Sequence, residues 1–537
     1  MDVRNRCADR RHHRTHDLHP LRRRAHPGAA PVQGREHPPS SPPAHLSTDP
    51  TGRLVARKSL ALPRFAERPR LYSGCTNPAH RKHCGNLSVS CVLGPSPGRL
   101  RAIADVAEPK SFQGGVARMK ILLLSHYYWP EVGAPQRRWS TLVKHFIDQG
   151  HQVIVAAPHP HYPHSRRDEF FRSKVGRRRR RVEAKLGGSW DFGEFGERII
   201  RVPYLHSGPT MTRQLLDQSV ASLGAISAVM RLMNGFAVPD VIVSTTPALP
   251  YLFAGDAVAR LLNVPHVAEV RDVWPDLISD LSVVTNTAGR YLPRTVTGFL
   301  EEKILPNLLT RAQRRASAVV VTTDSFRQCL QRRGINAEVV RSGVGRSEID
   351  QTPHDKPSAS DGVNLLYVGT VGRSQDLSSA VIAAARVPGV WLRIVGDGVD
   401  RPNLQALASS LGSPVEFFEQ ITGAELAQHW DWADAGLVSL GDVPAHARTV
   451  PSKLYSLLVR KIPILGIVSG EAADIITSNC AGLVAQPGNV DSVVTSMQAL
   501  VQGIDSPDER GRQWVFENAS VDVMGREYDR ILELVSR

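Results

Sequence analysis

No stretch of the chain approaches the ~18 uninterrupted apolar residues that a membrane-spanning helix needs. Cysteine is scarce: six among 537 residues, too few to staple a fold of this length with disulfides. Residues 119–537 contain no G-x-x-x-x-G-K-[ST] phosphate loop, no G-x-S-x-G elbow and no H-E-x-x-H. These absences remove three common chemistries. The dinucleotide pattern G-x-G-x-x-G is missing as well, which weakens a nicotinamide reading.

Acidic charge is sparse at the front, and this changes the meaning of the overall net charge of +15. Residues 1–118 hold 21 Lys+Arg against 8 Asp+Glu, with 9 of the 20 His and 14 of the 38 Pro. The remainder holds 45 against 43 and is nearly neutral. The basic character belongs to the leader, so a nucleic-acid partner is not expected. Apolar periodicity is almost absent from 1–118, which is expected to be disordered and Arg/His/Pro-rich. No apolar segment follows its charged start, so it does not read as a signal peptide. Cys75, His80, His83, Cys84 and Cys91 match no standard zinc spacing and are read as incidental. Met119 opens Met-Lys-Ile-Leu-Leu-Leu-Ser, the usual start of a first α/β strand. The biological start is therefore expected at or near Met119, with the leader a product of upstream translation.

From there short Val/Ile-rich runs alternate with helical patterns. Strands are expected at 120–125, 152–156, 198–202, 241–244, 266–270, 318–321 and 337–341. Their apolar residues face both sides, as in parallel strands covered by helices. Helices are expected at 136–149, 211–235, 247–262 and 325–333. A Gly/Pro/Ser-rich stretch near 343–362 interrupts the pattern. A second series follows at 364–368, 391–395, 415–418, 436–439, 462–465 and 482–485, with a helix at 490–501 and a helical end over 508–535. The fold class is thus α/β, with two Rossmann-like, doubly wound parallel-sheet domains facing across a cleft. The expected boundaries are 119–345, a hinge linker over 346–362, a second domain over 363–507, and a final helical segment over 508–537.

Several strand exits carry residues suited to a site. The first runs through Tyr127-Tyr-Trp-Pro-Glu131 to Gly133 and Arg137 at a helix start, which favours anions or is an ordinary turn. Glu269-Val-Arg271-Asp272 crowds charge at the end of a buried strand. Asp272 is suited to accept a proton or to position a hydroxyl, the alternative being a buried ion pair of Arg271 with Glu269 or Asp272. Gly369-Thr370-Val-Gly372-Arg373 and Gly396-Asp397-Gly398 follow successive strands of the second domain. Each is by itself an ordinary turn, but together they suit a diphosphate. Pro451-Ser452-Lys453 opens a helix. A lysine there opposes the helix dipole, so an anion held at that start explains it better than a solvated surface residue. The five arginines 177–181, followed by the long apolar helix, suit an anionic membrane surface or simply a charged loop beside a core helix.

Taken in order, these segments resemble the family-4 retaining glycosyltransferases of GT-B architecture, nearest to the O-antigen and capsule type that includes fucosaminyl-transferase-like members. The residues that carry the likeness are Met119-Lys-Ile-Leu, Trp129-Pro-Glu131 with Gly133, Gly150-His151, Pro160-His-Tyr-Pro163, Val270-Arg-Asp-Val-Trp-Pro275, Leu366-Tyr-Val-Gly369, Val395-Gly-Asp-Gly398 and Pro451-Ser-Lys-Leu-Tyr455. The resemblance implies an acceptor-binding first domain, with Gly133 and Arg137 at the acceptor and Asp272 and Arg271 at the chemistry. It implies a donor domain binding a nucleotide-sugar, a UDP-linked hexose or N-acetylhexosamine, through Gly369, Thr370, Arg373, Gly396, Asp397, Ser452 and Lys453. It implies a lipid-linked or cell-surface glycan acceptor, a final helix crossing back to the first domain, and a cytoplasmic, peripheral membrane location. No cofactor or metal is expected, in line with the missing Asp-x-Asp of residues 119–537.

Four positions depart from the family pattern: Thr370 and Gln375 stand where it has Arg and Lys after the first strand of the donor domain, with Arg373 between them. Ser456 and Arg448 stand where the family has a pair of acids, and Glu471 is the candidate to compensate. A catalytically weak sugar-nucleotide binder is therefore the second reading. An epimerase or dehydrogenase is a distant third.

Overall fold

In the computed structural model, the structure describes residues 118–537 except 132, 161–188, 206–210, 233–237, 281, 290–291, 351–361, 422 and 504–505. The leader, its Cys/His group, Arg177–Arg181 and His161–Pro163 lie outside the described residues, as does most of the expected linker.

The first lobe opens with β1 (Lys120–Leu124), α1 (Ala134–Asp148), β2 (Gln152–Pro158), β3 (Ser189–Phe192) and β4 (Arg198–Val202). Next come α2 (Met211–Leu232), β5 (Val241–Thr245), α3 (Pro250–Leu262) and β6 (His266–Glu269). Short helices follow: α4 (Asp276–Asp280), α5 (Val283–Ala288), α6 (Arg294–Phe299), a π-helical turn Leu300–Ile304, and α7 (Leu305–Arg315). The lobe finishes with β7 (Ala318–Val321), α8 (Asp324–Arg332) and β8 (Ala337–Val339). Its sheet has the order β3-β4-β2-β1-β5-β6-β7-β8. Every pairing is parallel except β3 with β4.

Alternate residues of each strand enter opposite cores, as the pleat requires. Ile121, Leu123, Val153, Val155 and Val243 pack with Trp139 and Phe146 of α1. Leu122, Leu124, Ala156 and Ile242 pack on the other face with Ala225 and Val229 of α2 and Val258 of α3. Strands buried on both faces explain why the sequence shows apolar runs rather than alternation.

After α9 (Arg346–Ile349) the second lobe begins: β9 (Val363–Val368), α10 (Ser378–Arg386), β10 (Val390–Val395), α11 (Arg401–Leu411), β11 (Val415–Phe418) and α12 (Ala424–Trp432). It continues through β12 (Ala435–Ser439), α13 (Lys453–Arg460), β13 (Ile464–Ile467), α14 (Glu471–Ser478), β14 (Gly482–Ala485) and α15 (Val490–Gln502). The all-parallel order is β11-β10-β9-β12-β13-β14. Strand order reverses between β1 and β5 in one sheet and between β9 and β12 in the other. Such reversals open a crevice at the carboxyl ends of the strands.

The C-terminal segment is two helices, not one. α16 (Glu509–Asn518) packs on the second lobe through Val515, and α17 (Val521–Ser536) packs on the first through Met524, Tyr528, Ile531 and Leu532. Ser520 makes the break: its hydroxyl caps α17 by accepting from the Val523 amide at 3.3 Å. The same break pairs with the outgoing chain, Val344 N to Ala519 O at 2.8 Å and Val521 N to Val344 O at 3.0 Å. The two passages between lobes therefore run side by side. A methyl group on Gly343 would stand 2.7 Å from the Val521 Cα, so glycine permits that approach.

Tyr528 anchors α17 by donating to Glu269 Oε2 at 2.6 Å. Tyr528→Phe leaves a fully buried carboxylate short of a donor and is expected to lower stability by about 1.5–3 kcal/mol. Urea denaturation reads this directly. An unchanged midpoint would show that the final helix does not depend on the contact.

Candidate functional site

Glu269 ends β6 and has no exposed surface. It accepts from Arg138 Nε at 3.0 Å, Thr245 Oγ1 at 3.1 Å and Tyr528 Oη at 2.6 Å. Burial alone would raise its pKa. The charges of Arg138 and Arg271, with the hydrogen bonds from Tyr528 and Arg138, outweigh that and hold the carboxyl below its usual range. Arg138 also donates to the Arg341 and Val340 carbonyls, both at 2.9 Å.

Arg271 and Asp272 follow directly on this floor. Burial pushes the Arg271 guanidinium down, with Glu269 pulling it back up. Burial raises the Asp272 carboxyl, opposed by Arg271. The Arg271 Nε and Nη1 are buried and find no hydrogen-bond partner among the described residues. A buried guanidinium with open donors suits an anionic or hydroxyl-rich ligand better than a finished ion pair. A carboxyl raised by burial is closer to the pKa of a useful proton acceptor.

Gly133 caps α1 in extended conformation and Arg137 is exposed one turn on. The inward residue is its neighbour Arg138, which the sequence reading missed. Arg138 is 5% exposed, and the available signal was its spacing: an arginine four residues before Leu142 and eight before Phe146, on the face that carries the apolar residues.

In the second lobe the two Gly-rich exits lie on each other. The Gly369 amide donates to Val395 O and the Val371 amide to Asp397 O, both at 2.9 Å. Gly369 and Gly396 have φ of 144° and 150°. A Cβ on Gly396 would sit 1.8 Å from Gly369 O. Gly396 is therefore glycine to let the first loop rest on the second. Thr370, Arg373 and Asp397 are exposed on these loops, and Asp397 Oδ1 accepts from the Gly398 amide at 2.8 Å.

Lys453, the first residue of α13, faces this loop pair. Its Nζ lies 3.6 Å from the centre of the Tyr367 ring, and a methyl on Gly369 would stand 3.1 Å from it. Tyr367 Oη donates to Thr370 O at 2.6 Å, so one side chain holds both the loop and the ammonium. Among the described residues Lys453 has no acidic partner, and burial lowers its pKa to about 7. Ser452, just before it, is exposed and makes no side-chain cap.

Glu471 has a different task from the one expected. Its carboxylate accepts from the Asp324 amide at 3.1 Å, the Ser325 amide at 2.7 Å and Ser325 Oγ at 2.6 Å, capping α8 of the first lobe. Arg341 completes it at 3.0 Å. In this structure its oxygens are committed to the contact between lobes. Arg448 is likewise engaged, with Asp276 Oδ2 at 2.6 Å. Asp280 accepts from the Ala445 amide at 3.0 Å. Burial raises the Tyr455 hydroxyl, opposed by the nearby Arg341 and Arg138, so the start of α13 adjoins the floor cluster of the first lobe. The structure thus brings Lys453 and Gly369 together and sets α13 beside the Arg138 network. Arg137, Arg373 and Asp397 stay at the surface. Among the described residues no group of His, Cys, Asp or Glu is arranged to hold a metal.

Residues 133–343 match the model of a glycosyl transferase 4-like domain. The chain is 24% identical over 404 residues to the putative colanic acid biosynthesis glycosyl transferase WcaI of Escherichia coli K12, covering 72% of this chain and 91% of that one. Among solved structures it is similar to sucrose-phosphate synthase of Thermosynechococcus elongatus, with TM-score 0.56, 15% identity, and coverage of 78% and 98%. It is also similar to Anabaena HepE in complex with UDP-glucose, with TM-score 0.52, 13% identity, and coverage of 78% and 100%. The structural likenesses establish the GT-B fold. With the matched domain and the curated relative, they support a glycosyltransferase, similar to those of the family-4 type.

The lowered pKa of Lys453 gives a pH signature. Between about pH 7 and the ordinary lysine value of 10.5, the empty folded protein holds fewer protons than the unfolded chain. Stability linked to this group therefore rises with pH across that window. A bound anion favours the charged form, so binding takes up a proton above pH 7. The affinity ratio of wild type to Lys453→Met for inorganic pyrophosphate is expected to shrink above pH 7, by at most about tenfold per unit. Calorimetry across pH measures it, and the ratio cancels the titration of the probe itself. A ratio independent of pH would remove Lys453 from the anion site.

Proposed function

We propose that the protein transfers a sugar, with retention of anomeric configuration, from a UDP-linked donor to a lipid-linked or cell-surface glycan acceptor. The acceptor class is that of O-antigen or capsule assembly. The single observation that carries the donor half is the Lys453 ammonium. It is pressed into the Gly369 loop over Tyr367 and has no acid among the described residues to neutralise it. A diphosphate supplies the missing charge, and the helix start supplies amide donors to the same group. HepE, solved with UDP-glucose, supports the choice of nucleotide. WcaI, named for colanic acid biosynthesis, supports the acceptor class.

In this reading Asp272 orients the acceptor hydroxyl and accepts its proton. Arg271 offers its open donors to the reacting groups, and Lys453 stabilises the departing diphosphate. The lobes exclude water from the donor, which suppresses hydrolysis. The catalytically weak binder stays as a second reading for a specific reason. Glu471 and Arg448 are both spent on contacts between lobes, and Ser456 brings no carboxylate.

A thermal-shift series with UDP, GDP and their sugars tests the donor. A nucleotide at 100 times its dissociation constant adds about 2.7 kcal/mol, and UDP compounds are expected to stabilise most. Asp272→Asn is expected to keep that shift and lose about 100-fold or more in transfer of labelled sugar into a lipid extract. Stabilisation without any transfer by the wild type would favour the binder. No stabilisation by any uridine nucleotide would overturn the donor assignment.

A further inference from the structure

The sheet of the second lobe is covered unevenly. Val390, Leu392 and Ile394 of β10 enter the core that α10, α11 and α15 close. The register sets Trp391 beside Asn364 of β9 and Arg393 beside Glu416 of β11, all on the opposite face. Among the described residues, α12 is the helix packed on that face over β9–β11, through Leu426, Trp430 and Trp432. It leaves the amino halves of β10 and β11 open: Trp391 is 47% exposed and the Glu416 side chain 59%. The opening is a cavity of about 560 Å³ with Asn364, Trp391, Arg393, Glu416 and Trp432 in its wall. That volume falls within the ordinary range of small-molecule sites.

The groups of this wall are held in place. Arg393 Nε donates to Glu416 Oε2 at 2.6 Å. The same guanidinium lies 3.8 Å from the centre of the Trp432 ring and 5.4 Å from that of Phe418. A Cβ on Gly362 would stand 2.4 Å from the Trp391 ring, so glycine lets the indole rest against the backbone there. A cross-strand ion pair that only shields an edge strand needs no half-exposed indole beside it.

The chemistry narrows the occupant. Arg393 and Glu416 neutralise each other, so the cavity has no surplus charge to attract a phosphate or a charged peptide. The indoles offer apolar ring surface, which suits the C–H face of a pyranose. Around them a carboxylate accepts, a guanidinium donates and the Asn364 carboxamide does both, the combination that vicinal hydroxyls require. A neutral sugar is apolar on its faces and polar around its rim, and the wall matches both.

We propose that this cavity binds a neutral, hexose-containing oligosaccharide. Trp391 stacks on a pyranose ring, Trp432 walls it, and Glu416, Arg393 and Asn364 bond its hydroxyls. The cavity lies at the amino ends of the strands, whereas the donor loops leave the carboxyl ends of β9 and β10. The length of β10 sets Trp391 roughly 16 Å from Gly396. The proposal rests on the glycosyltransferase reading only for the source of the sugar, the glycan under assembly. Binding itself requires no transfer.

Calorimetry and saturation-transfer NMR on the full chain test it, with cellotetraose, maltotetraose and laminaritetraose as probes. These are uncharged and do not engage the basic leader. At least one is expected to bind, with the same affinity at low and high salt. Trp391→Ala is expected to weaken that binding by about tenfold or more, and Glu416→Gln by about threefold or more. Both replace exposed positions, and thermal melts without ligand check that each folds; where one does not, the other decides. Asp272→Asn, in the cleft, should bind the oligosaccharide like wild type. Equal binding by wild type and both cavity variants overturns the proposal, as does failure of all three probes to bind. A loss confined to Asp272→Asn would place the sugar in the cleft and overturn it too. Adenosine that binds more tightly than the sugars, and is lost in Trp391→Ala, would reassign the cavity to a nucleobase. The UDP series tests the donor site separately, so either reading can fail alone.

Discussion

One buried carboxylate organises the floor beneath the cleft. Glu269 joins β6 to α1 through Arg138, to β5 through Thr245, and to the last helix through Tyr528. A charge with no exposed surface is tolerated only where such partners compensate for lost water. Removing any one of them leaves the others mismatched, so the elements are held as a set. The C-terminal helix, distant in sequence, thereby becomes part of the first lobe. Arg271 and Asp272, directly after this carboxylate, inherit a rigid base.

The same network reaches the second lobe. Arg138 bonds the Arg341 carbonyl, and the Arg341 side chain pairs with Asp324 and with Glu471 across the cleft. Arg448, at the position where the family resemblance expects an acid, instead meets Asp276, which Arg333 also holds at 2.6 Å. Positions that resemble donor contacts in sequence thus serve the junction of the lobes. The donor end is left to Lys453, Tyr367 and the stacked glycine loops. These are steric and electrostatic devices of a few residues, positioned by β9, β10 and the start of α13.

Much of this was legible in the sequence, for identifiable reasons. Parallel strands covered on both faces produce apolar runs that stand out, so Arg198–Val202, Ala318–Val321, Val415–Phe418 and Gly482–Ala485 match expectation to the residue. β3 was missed because a four-residue edge strand with one neighbour carries little pattern. The helices between residues 276 and 315 were missed because they are short and a π turn interrupts their periodicity. The break at Ser520 was hidden inside a continuous helical pattern, and only the pairing with Val344 reveals why the chain turns there. At the site, the strand exits drew attention to loops that the structure places after β1, β6, β9 and β10. They did not distinguish Arg137 from Arg138, or a donor contact from a lobe contact for Glu471. Such distinctions depend on which distant element arrives opposite.

The side-by-side passages at Val344 and Ser520 bear on how the halves move. Two chain segments hydrogen-bonded at a single line define an axle: rotation about it keeps the Val344 bonds but must part Glu471 from Ser325 and Arg341 and Arg448 from Asp276, while sliding along it or pulling the halves apart would break the Val344 bonds too. Opening therefore resembles the swing of a book about its spine, and the pages stay in register through each turnover.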